Sequence, residues 1–214
     1  DLFGRSVSIS GDYIVVGAYW EDEDANEANT INGAGSAYIF SIDQGGANNW
    51  GLVKKITAPV RAELDNFGYS VSISGNYVAV GAYQESEDAN EANNVGWAGS
   101  AYIFSKDQDG SNNWGFVKKI TAPIRSFEDN FGWSVSISGN DVIVGAPNEE
   151  EDTNEANTIE KAGSAYIFSK DQGSSNNWGL VQKVIKVGIV AQTQYGYSVS
   201  IDGDYAVVGA LTEV

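Results

Sequence analysis

The chain has 214 residues, of which 12 are basic and 29 are acidic, and its formal net charge is −17. Such a surface repels phosphate groups, which argues against nucleic acid as a partner. No apolar run approaches the ~18 residues that span a bilayer, so membrane insertion is not expected. The absence of cysteine excludes disulfides and thiolate sites, and the absence of histidine removes the most common general base.

The sequence repeats itself every 64 residues. The segment from Phe3 to Gly11 returns, with substitutions, from Phe67, Phe131 and Tyr195. A strict period of this kind is typical of folds in which identical units stack on one another. We therefore expect one array, with units at residues 1–64, 65–128 and 129–192 and a partial fourth unit at residues 193–214.

Each full unit predicts four short strands, which in the first unit are Ser6–Ser10, Tyr13–Val16, Ser36–Ser41 and Trp50–Thr57. Serine alternates with β-branched residues in the first strand, the period-2 pattern of a strand with two different faces. Gly11-Asp12 predicts a two-residue hairpin after it. Lysines in the fourth strand indicate a protected sheet edge, and we expect Lys54, Lys118 and Lys183 on that edge.

Four strands per unit, ordered from inside to outside, is the layout of a propeller blade. The predicted fold is therefore an all-β β-propeller of four-stranded antiparallel blades, with three full blades and a partial fourth. A two-layer sandwich is the alternative, although it would not explain a strict 64-residue repeat. No segment shows the 3.6-residue apolar period of a helix.

The head of the first strand and the end of the second strand carry the motifs of a known family. In the third unit they read Phe131-Gly132 and Gly145-Ala146-Pro147. These motifs resemble the FG-GAP repeat of integrin α subunits, and the longer pattern is similar to FG-GAP repeats of bacterial and archaeal surface proteins. The resemblance implies a secreted or cell-surface protein. Integrin-type repeats often place a calcium loop between strands one and two, but here that connection is too short for one.

The most distinctive segment of each unit is the acidic stretch between strands two and three. The three stretches hold 15 of the 29 acidic residues, and six positions carry the same oxygen-bearing residue in every unit. Calcium prefers oxygen ligands, so these positions are candidate calcium ligands. They are Glu21, Glu23, Asp24, Asn26, Glu27 and Asn29; Glu85, Glu87, Asp88, Asn90, Glu91 and Asn93; and Glu149, Glu151, Asp152, Asn154, Glu155 and Asn157. The alternative is a solvated loop in which Asp and Asn make side-chain turns.

The six tryptophans fall into two groups. Trp50, Trp114 and Trp178 recur at the start of the fourth strand. Buried packing between units is the expected role of this group, and a row of stacking sites for a sugar or partner is the alternative. Trp20, Trp97 and Trp133 vary between units, which suggests exposed loop positions. They are either contacts for a partner or chance occurrences.

The repetition argues against an enzyme. No histidine is present to activate a serine, and the carboxylates recur once per unit rather than in a single asymmetric site. The leading hypothesis is a non-catalytic extracellular interaction or adhesion module that binds a protein or glycan, with calcium in the acidic loops. The alternatives are a structural repeat subunit that assembles through open blade ends and, as the least favoured, a glycoside hydrolase.

The ends of the sequence raise a further expectation. The chain begins inside a repeat, and the fourth unit lacks its third and fourth strands. An unpaired hairpin would expose backbone donors and acceptors. We therefore expect either a segment of a longer chain or self-association, in which a second copy supplies the missing strands.

Overall fold

The computed structural model describes residues 1–151, 158–188 and 190–212, which form strands, turns and loops without a helix. No helix in this part of the chain has the length and hydropathy of a membrane span. The strands of the first unit are β1 (Phe3–Ser10), β2 (Tyr13–Ala18), β3 (Ser36–Ser41) and β4 (Gly51–Ile56). Those of the second are β5 (Ser70–Ser74), β6 (Tyr77–Ala82), β7 (Ser100–Ser105) and β8 (Gly115–Ile120). The third contains β9 (Ser134–Ser138), β10 (Asp141–Ala146), β11 (Ser164–Ser169) and β12 (Gly179–Val184), and the fourth β13 (Tyr195–Asp202) and β14 (Tyr205–Ala210).

Each unit folds into its own antiparallel sheet, with the strands in sequence order. Three sheets have four strands and the fourth has two. The predicted strand order is confirmed, and Lys54, Lys118 and Lys183 lie on the edge strands β4, β8 and β12. The predicted hairpin is also confirmed, because Ser10 pairs with Tyr13 across Gly11-Asp12. We call β1, β5, β9 and β13 the inner strands, because each contacts the first strand of a neighbouring unit.

Serine hydroxyls join the inner strands of neighbouring units. The backbone N–H of Ile73 in β5 donates to Ser8 Oγ in β1 at 3.2 Å. The equivalent bonds run from Ile137 to Ser72 (3.1 Å) and from Ile201 to Ser136 (3.1 Å). These hydroxyls satisfy N–H groups on an edge strand that would otherwise be unpaired. The serine positions of the first strand therefore have a structural role.

The glycines of the repeated motifs mark the closest approach between units. A Cβ added to Gly81, at the end of β6, would lie 2.0 Å from the carbonyl oxygen of Gly132 in the next unit. Gly132 itself has φ +91°, a conformation that side-chain-bearing residues rarely adopt. The Phe-Gly motif of one unit thus packs on the Gly-Ala motif of the preceding unit, and both need glycine.

The apolar core lies between successive sheets. Trp114 and Trp178 are 0% and 1% exposed, and they pack edge-on against Tyr13 and Tyr77 of the preceding unit at 5.2 and 5.3 Å between ring centroids. Packing between units, the expected role of these tryptophans, is confirmed. Trp50 belongs to the first unit and is only half-buried.

The first and last strand pairs leave apolar side chains in solvent. Val7 and Ile9 of β1 are 64% and 63% exposed, whereas their equivalents Val71 and Ile73 are each 5% exposed. Val207 of β14 is 70% exposed. In the other units, the side chains at the equivalent positions are buried or half-buried against a neighbouring unit.

Candidate binding face

The acidic loops, which we define as residues 19–35, 83–99 and 147–163, follow the second strand of each unit. In the second loop, the buried Glu85 accepts a hydrogen bond from the Tyr102 hydroxyl. It also forms a 3.2 Å ion pair with Lys119, whose ammonium group lies 2.9 Å from Glu91 as well. Burial raises the pKa of Glu85 to about 7, and Lys119 opposes that rise. The first glutamate of the loop is therefore held inside its own unit.

The other full units repeat this arrangement. Lys55 lies 3.3 Å from Glu21 and 2.8 Å from Glu27, and the Tyr38 hydroxyl donates to Glu21. In the third unit, Glu149 contacts Lys183 and Tyr166. Lysine thus neutralises several of the predicted calcium ligands.

Aspartate organises the tip of the first two acidic loops. One oxygen of Asp24 accepts the backbone N–H groups of Asn26 and Ala28, and the other accepts the Asn29 amide. Asp88 makes the same contacts with Asn90, Ala92 and Asn93. The bond from the Asn29 amide is the main reason that the pKa of Asp24 is lowered to about 2. These contacts are the side-chain turns of the alternative interpretation.

Two groups of carboxylates converge closely enough to hold a metal ion. One consists of Glu21, Glu23 and Glu27, and the other of Asp65, Glu85 and Glu87. Asp65 was not predicted, because it lies in the segment that connects the first two units rather than in an acidic loop. Among the remaining predicted ligands, Glu151 accepts a hydrogen bond from the Ser126 hydroxyl. Asp152, Asn154, Glu155 and Asn157 lie outside the described residues.

Buried aspartates lie where one unit connects to the next. Asp65 and Asp129 are 3% and 1% exposed. Asp65 accepts the backbone N–H of Ala62, and Asp129 accepts that of Ser126. Burial raises the pKa of each carboxyl to about 8. These carboxyls therefore bind protons in the neutral range unless a cation compensates their charge.

An arginine holds each of the first two acidic loops against the segment that connects its unit to the next. Arg125 donates to the carbonyl oxygens of Asn93 and Ser86 at 2.8 and 2.7 Å. Arg61 makes the equivalent contacts with Asn29 and Asp22. A pocket of about 340 Å³ lies beside each arginine. The arginines thus fix the first two acidic loops at the same end of the sheets as the starts of the inner strands.

At that end, aromatic side chains from all four units meet in the aromatic cluster, which consists of Tyr19, Tyr69, Tyr83, Trp133 and Tyr197. The Trp133 ring lies 4.9 Å from Tyr69, 5.1 Å from Tyr83 and 5.4 Å from Tyr197. Tyr69 also contacts Tyr19 at 5.1 Å. The cluster thus joins the first residues of the first two acidic loops to the starts of the inner strands.

A pocket of about 280 Å³ opens beside these rings, and we call it the aromatic pocket. Arg5, Tyr69, Trp133 and Tyr197 line it, and these four residues occupy one position of the repeat, directly before a serine. The Arg5 guanidinium lies 4.8 Å above the Tyr69 ring and donates to its hydroxyl. Variation at this position within a constant motif is the sequence signal for the pocket. Of these four residues, the sequence analysis identified only Trp133 as a candidate contact residue.

The three variable tryptophans have different surroundings. Trp20 and Trp97 are each 40% exposed, as expected for loop residues. Trp97 stacks on Phe127 at 5.9 Å. The expectation of an exposed loop is wrong for Trp133, which is half-buried in the aromatic cluster immediately before β9.

The FG-GAP repeat model matches residues 1–40, 50–104, 114–168 and 178–213. The chain belongs to the FG-GAP repeat family. Comparison with curated proteins gave no match. FG-GAP repeats are generally non-enzymatic interaction or structural modules. The Phe-Gly and Gly-Ala motifs after which the FG-GAP repeat is named lie at the contact between units. The residues that define the family are therefore those that let the units stack. The aromatic pocket depends on the variable residue that follows the Phe-Gly motif.

Proposed function

We propose that the chain is a non-catalytic interaction module that binds an extracellular protein or glycan at its aromatic cluster. The observation that carries this proposal is the convergence of Arg5, Tyr69, Trp133 and Tyr197 from four units on one pocket. Large aromatic side chains and arginine dominate the binding energy of many interfaces. In this proposal the sheets are blades of a β-propeller, and the protein is secreted or displayed on a cell surface.

Calcium is the second element of the proposal. The cluster of Asp65, Glu85 and Glu87 contains three carboxylates, and Lys119 supplies one compensating charge. A divalent cation bound there would stabilise the excess negative charge, and carboxylate oxygens are the ligands that calcium prefers. Such an ion would connect the segment before β5 to the second acidic loop. Calcium would thus stiffen the second acidic loop, which begins at Tyr83 of the aromatic cluster.

The experiment that tests the interaction function is a solid-phase panel of extracellular matrix proteins and glycans, probed with the 214-residue chain. We expect saturable binding to at least one member of the panel. Trp133→Ala should weaken that binding by at least about tenfold, since hot-spot residues contribute this much or more. Trp97→Ala is the matched control and should leave the affinity unchanged. Saturable binding to no member of the panel would contradict the proposal.

A second candidate function, assembly of copies end to end, rests on the exposed strand faces. Val7 and Ile9 are exposed on β1, and Ser200 is exposed on β13 at the position from which Ser8, Ser72 and Ser136 join the next unit. A second copy placed with the 64-residue register would direct the N–H of its Ile9 at Ser200. Such a contact is head-to-tail and generates rings or filaments.

Light scattering at increasing protein concentration tests this assembly. We expect a mass that rises above 22.8 kDa with concentration. Ile9→Lys should abolish the rise, because it places a charge on the contact face, whereas Ile124→Lys changes an exposed isoleucine away from that face and should preserve it. A constant monomer mass at all concentrations would eliminate assembly as a function of this chain.

A further inference from the structure

We infer that the aromatic pocket binds an uncharged sugar ring at the end of a glycan. The inference rests on the proposed interaction function and specifies its ligand class. Three properties of the pocket lead to it: the arrangement of its rings, the polar groups beside them and the charge around them.

The rings provide apolar surface of limited extent. Trp133 lies between Tyr69 and Tyr197, with interplanar angles of 53° and 47°. The rings therefore form a tilted, concave surface rather than a flat stack. At about 280 Å³ the pocket is smaller than most sites for drug-sized ligands. A single compact ring with one apolar face matches this shape better than an extended side-chain patch of a protein.

Hydrogen-bonding groups border the aromatic surface. Arg5 is exposed and has five N–H donors, and the described contacts include one hydrogen bond from it, to the Tyr69 hydroxyl. Ser6 also lines the pocket, and its hydroxyl accepts the backbone N–H of Val71. A sugar presents hydroxyl groups around its edge and C–H groups on its face. The pocket offers partners for both.

The net charge of the chain disfavours an anionic ligand. The acidic loops begin beside the aromatic cluster, since Tyr19 precedes Glu21 by two residues and contacts Tyr69. With a net charge of −17, the chain repels sulfated and sialylated glycans at long range, and Arg5, the charged residue in the pocket lining, is engaged with the Tyr69 ring. A cationic group is also disfavoured, because the Arg5 guanidinium already covers the Tyr69 ring. An uncharged sugar avoids both penalties.

The test is a glycan array that carries neutral, sialylated and sulfated glycans, followed by calorimetry with the neutral glycans that bind. We expect neutral glycans to be retained, with an affinity that changes less than about twofold between low and physiological salt, because no net charge is paired. Trp133→Ala should weaken binding at least tenfold, Trp133→Phe should retain most of it, and Arg5→Ala should weaken it several-fold. Trp97→Ala should have no effect.

The outcomes separate this inference from the proposed function. Binding only to a protein of the panel, with sensitivity to Trp133→Ala, would overturn the sugar inference and keep the interaction function. Preference for sialylated or sulfated glycans would overturn it in the same way. Binding to neither glycan nor protein would overturn both. Near-ultraviolet circular dichroism of each variant verifies that the fold is intact, and equal glycan affinity in a folded Trp133→Ala variant would also refute the inference.

Discussion

The ammonium group of Lys119 lies 3.2 Å from a carboxylate oxygen of Glu85, and both side chains are only 2% exposed. The pair links β8, at the edge of its sheet, to the acidic loop that follows β6. A buried charge that loses its partner is left uncompensated in a region of low polarity. The lysines of the edge strand therefore have two roles: they mark the edge of the sheet, and one of them pairs with a buried glutamate of the same unit.

Replacing this lysine tests that role. We expect Lys119→Met to lower the free energy of unfolding by about 3–5 kcal/mol, the usual result of breaking a buried pair on one side. Lys118→Met is the matched control, because Lys118 is half-buried and donates only a long bond of 3.5 Å to Asn177. Urea denaturation measures both variants. Equal losses in the two variants would show that the ion pair with Glu85 makes no specific contribution to the free energy of unfolding.

Stability should depend on pH through the buried aspartates. Burial raises the pKa of Asp65 and Asp129 from 3.8 to about 8, so the folded chain retains protons that the unfolded chain releases above pH 4. Stability therefore falls as the pH rises from about 4 to about 8. Asp65→Asn should reduce this slope, while Asn at the exposed Asp202 should not. A melting temperature that rises towards pH 8 would contradict this assignment.

Below about pH 4 the pH dependence of stability has the opposite sign. Asp24 and Asp88 have pKa values lowered to about 2, chiefly by the amides of Asn29 and Asn93. The stability that these carboxylates contribute is present above pH 4 and is lost as the pH falls through 2. The melting temperature should therefore pass through a maximum near pH 4–5.

Calcium should stabilise the chain through the cluster of Asp65, Glu85 and Glu87. Binding to the folded state adds ~2.7 kcal/mol at a hundredfold excess over the dissociation constant, so the melting temperature should rise. Glu87→Gln should abolish the rise. Asp88→Ala should loosen the loop but preserve the response, because Asp88 is occupied by hydrogen bonds within the loop. No response to millimolar calcium in the unmodified chain would support the solvated-loop interpretation instead.

The close contact between units predicts that substitution of one glycine, Gly81, strongly lowers the free energy of unfolding. Gly81→Ala places a methyl group against the carbonyl of Gly132 and should cost at least about 2 kcal/mol. Gly209→Ala is the equivalent change in the last unit, where a Cβ meets the movable Ser198 hydroxyl, and it should cost less than about 1 kcal/mol. Thermal unfolding of both variants measures the difference. Comparable effects would mean that Gly81 is constrained by its own strand rather than by its neighbour.

The repeat and its alternating pattern were sufficient to predict the sheets. The strand order follows from the local hairpins and from the lysines that indicate an edge strand. The role of Lys55 and Lys119 was not predictable in this way, since an internal pair needs a glutamate 34 residues earlier in the chain to fold back onto the strand. The aromatic pocket was missed for a similar reason. Its residues are 64 positions apart, and only the stacking of the units brings them together.

The hydroxyl contacts between inner strands have a consequence for how such arrays change over time. Ser8 and Ile73 are joined through a side chain and not through a continuous backbone ladder. A side chain tolerates small rotations of one sheet against the next, which a shared ladder would resist. Copying or deleting a 64-residue segment would therefore preserve the type of contact between neighbouring units while allowing small changes in the angle between their sheets. The variable position occupied by Arg5, Tyr69, Trp133 and Tyr197 would meanwhile let each added unit present a different side chain at the same end of its sheet.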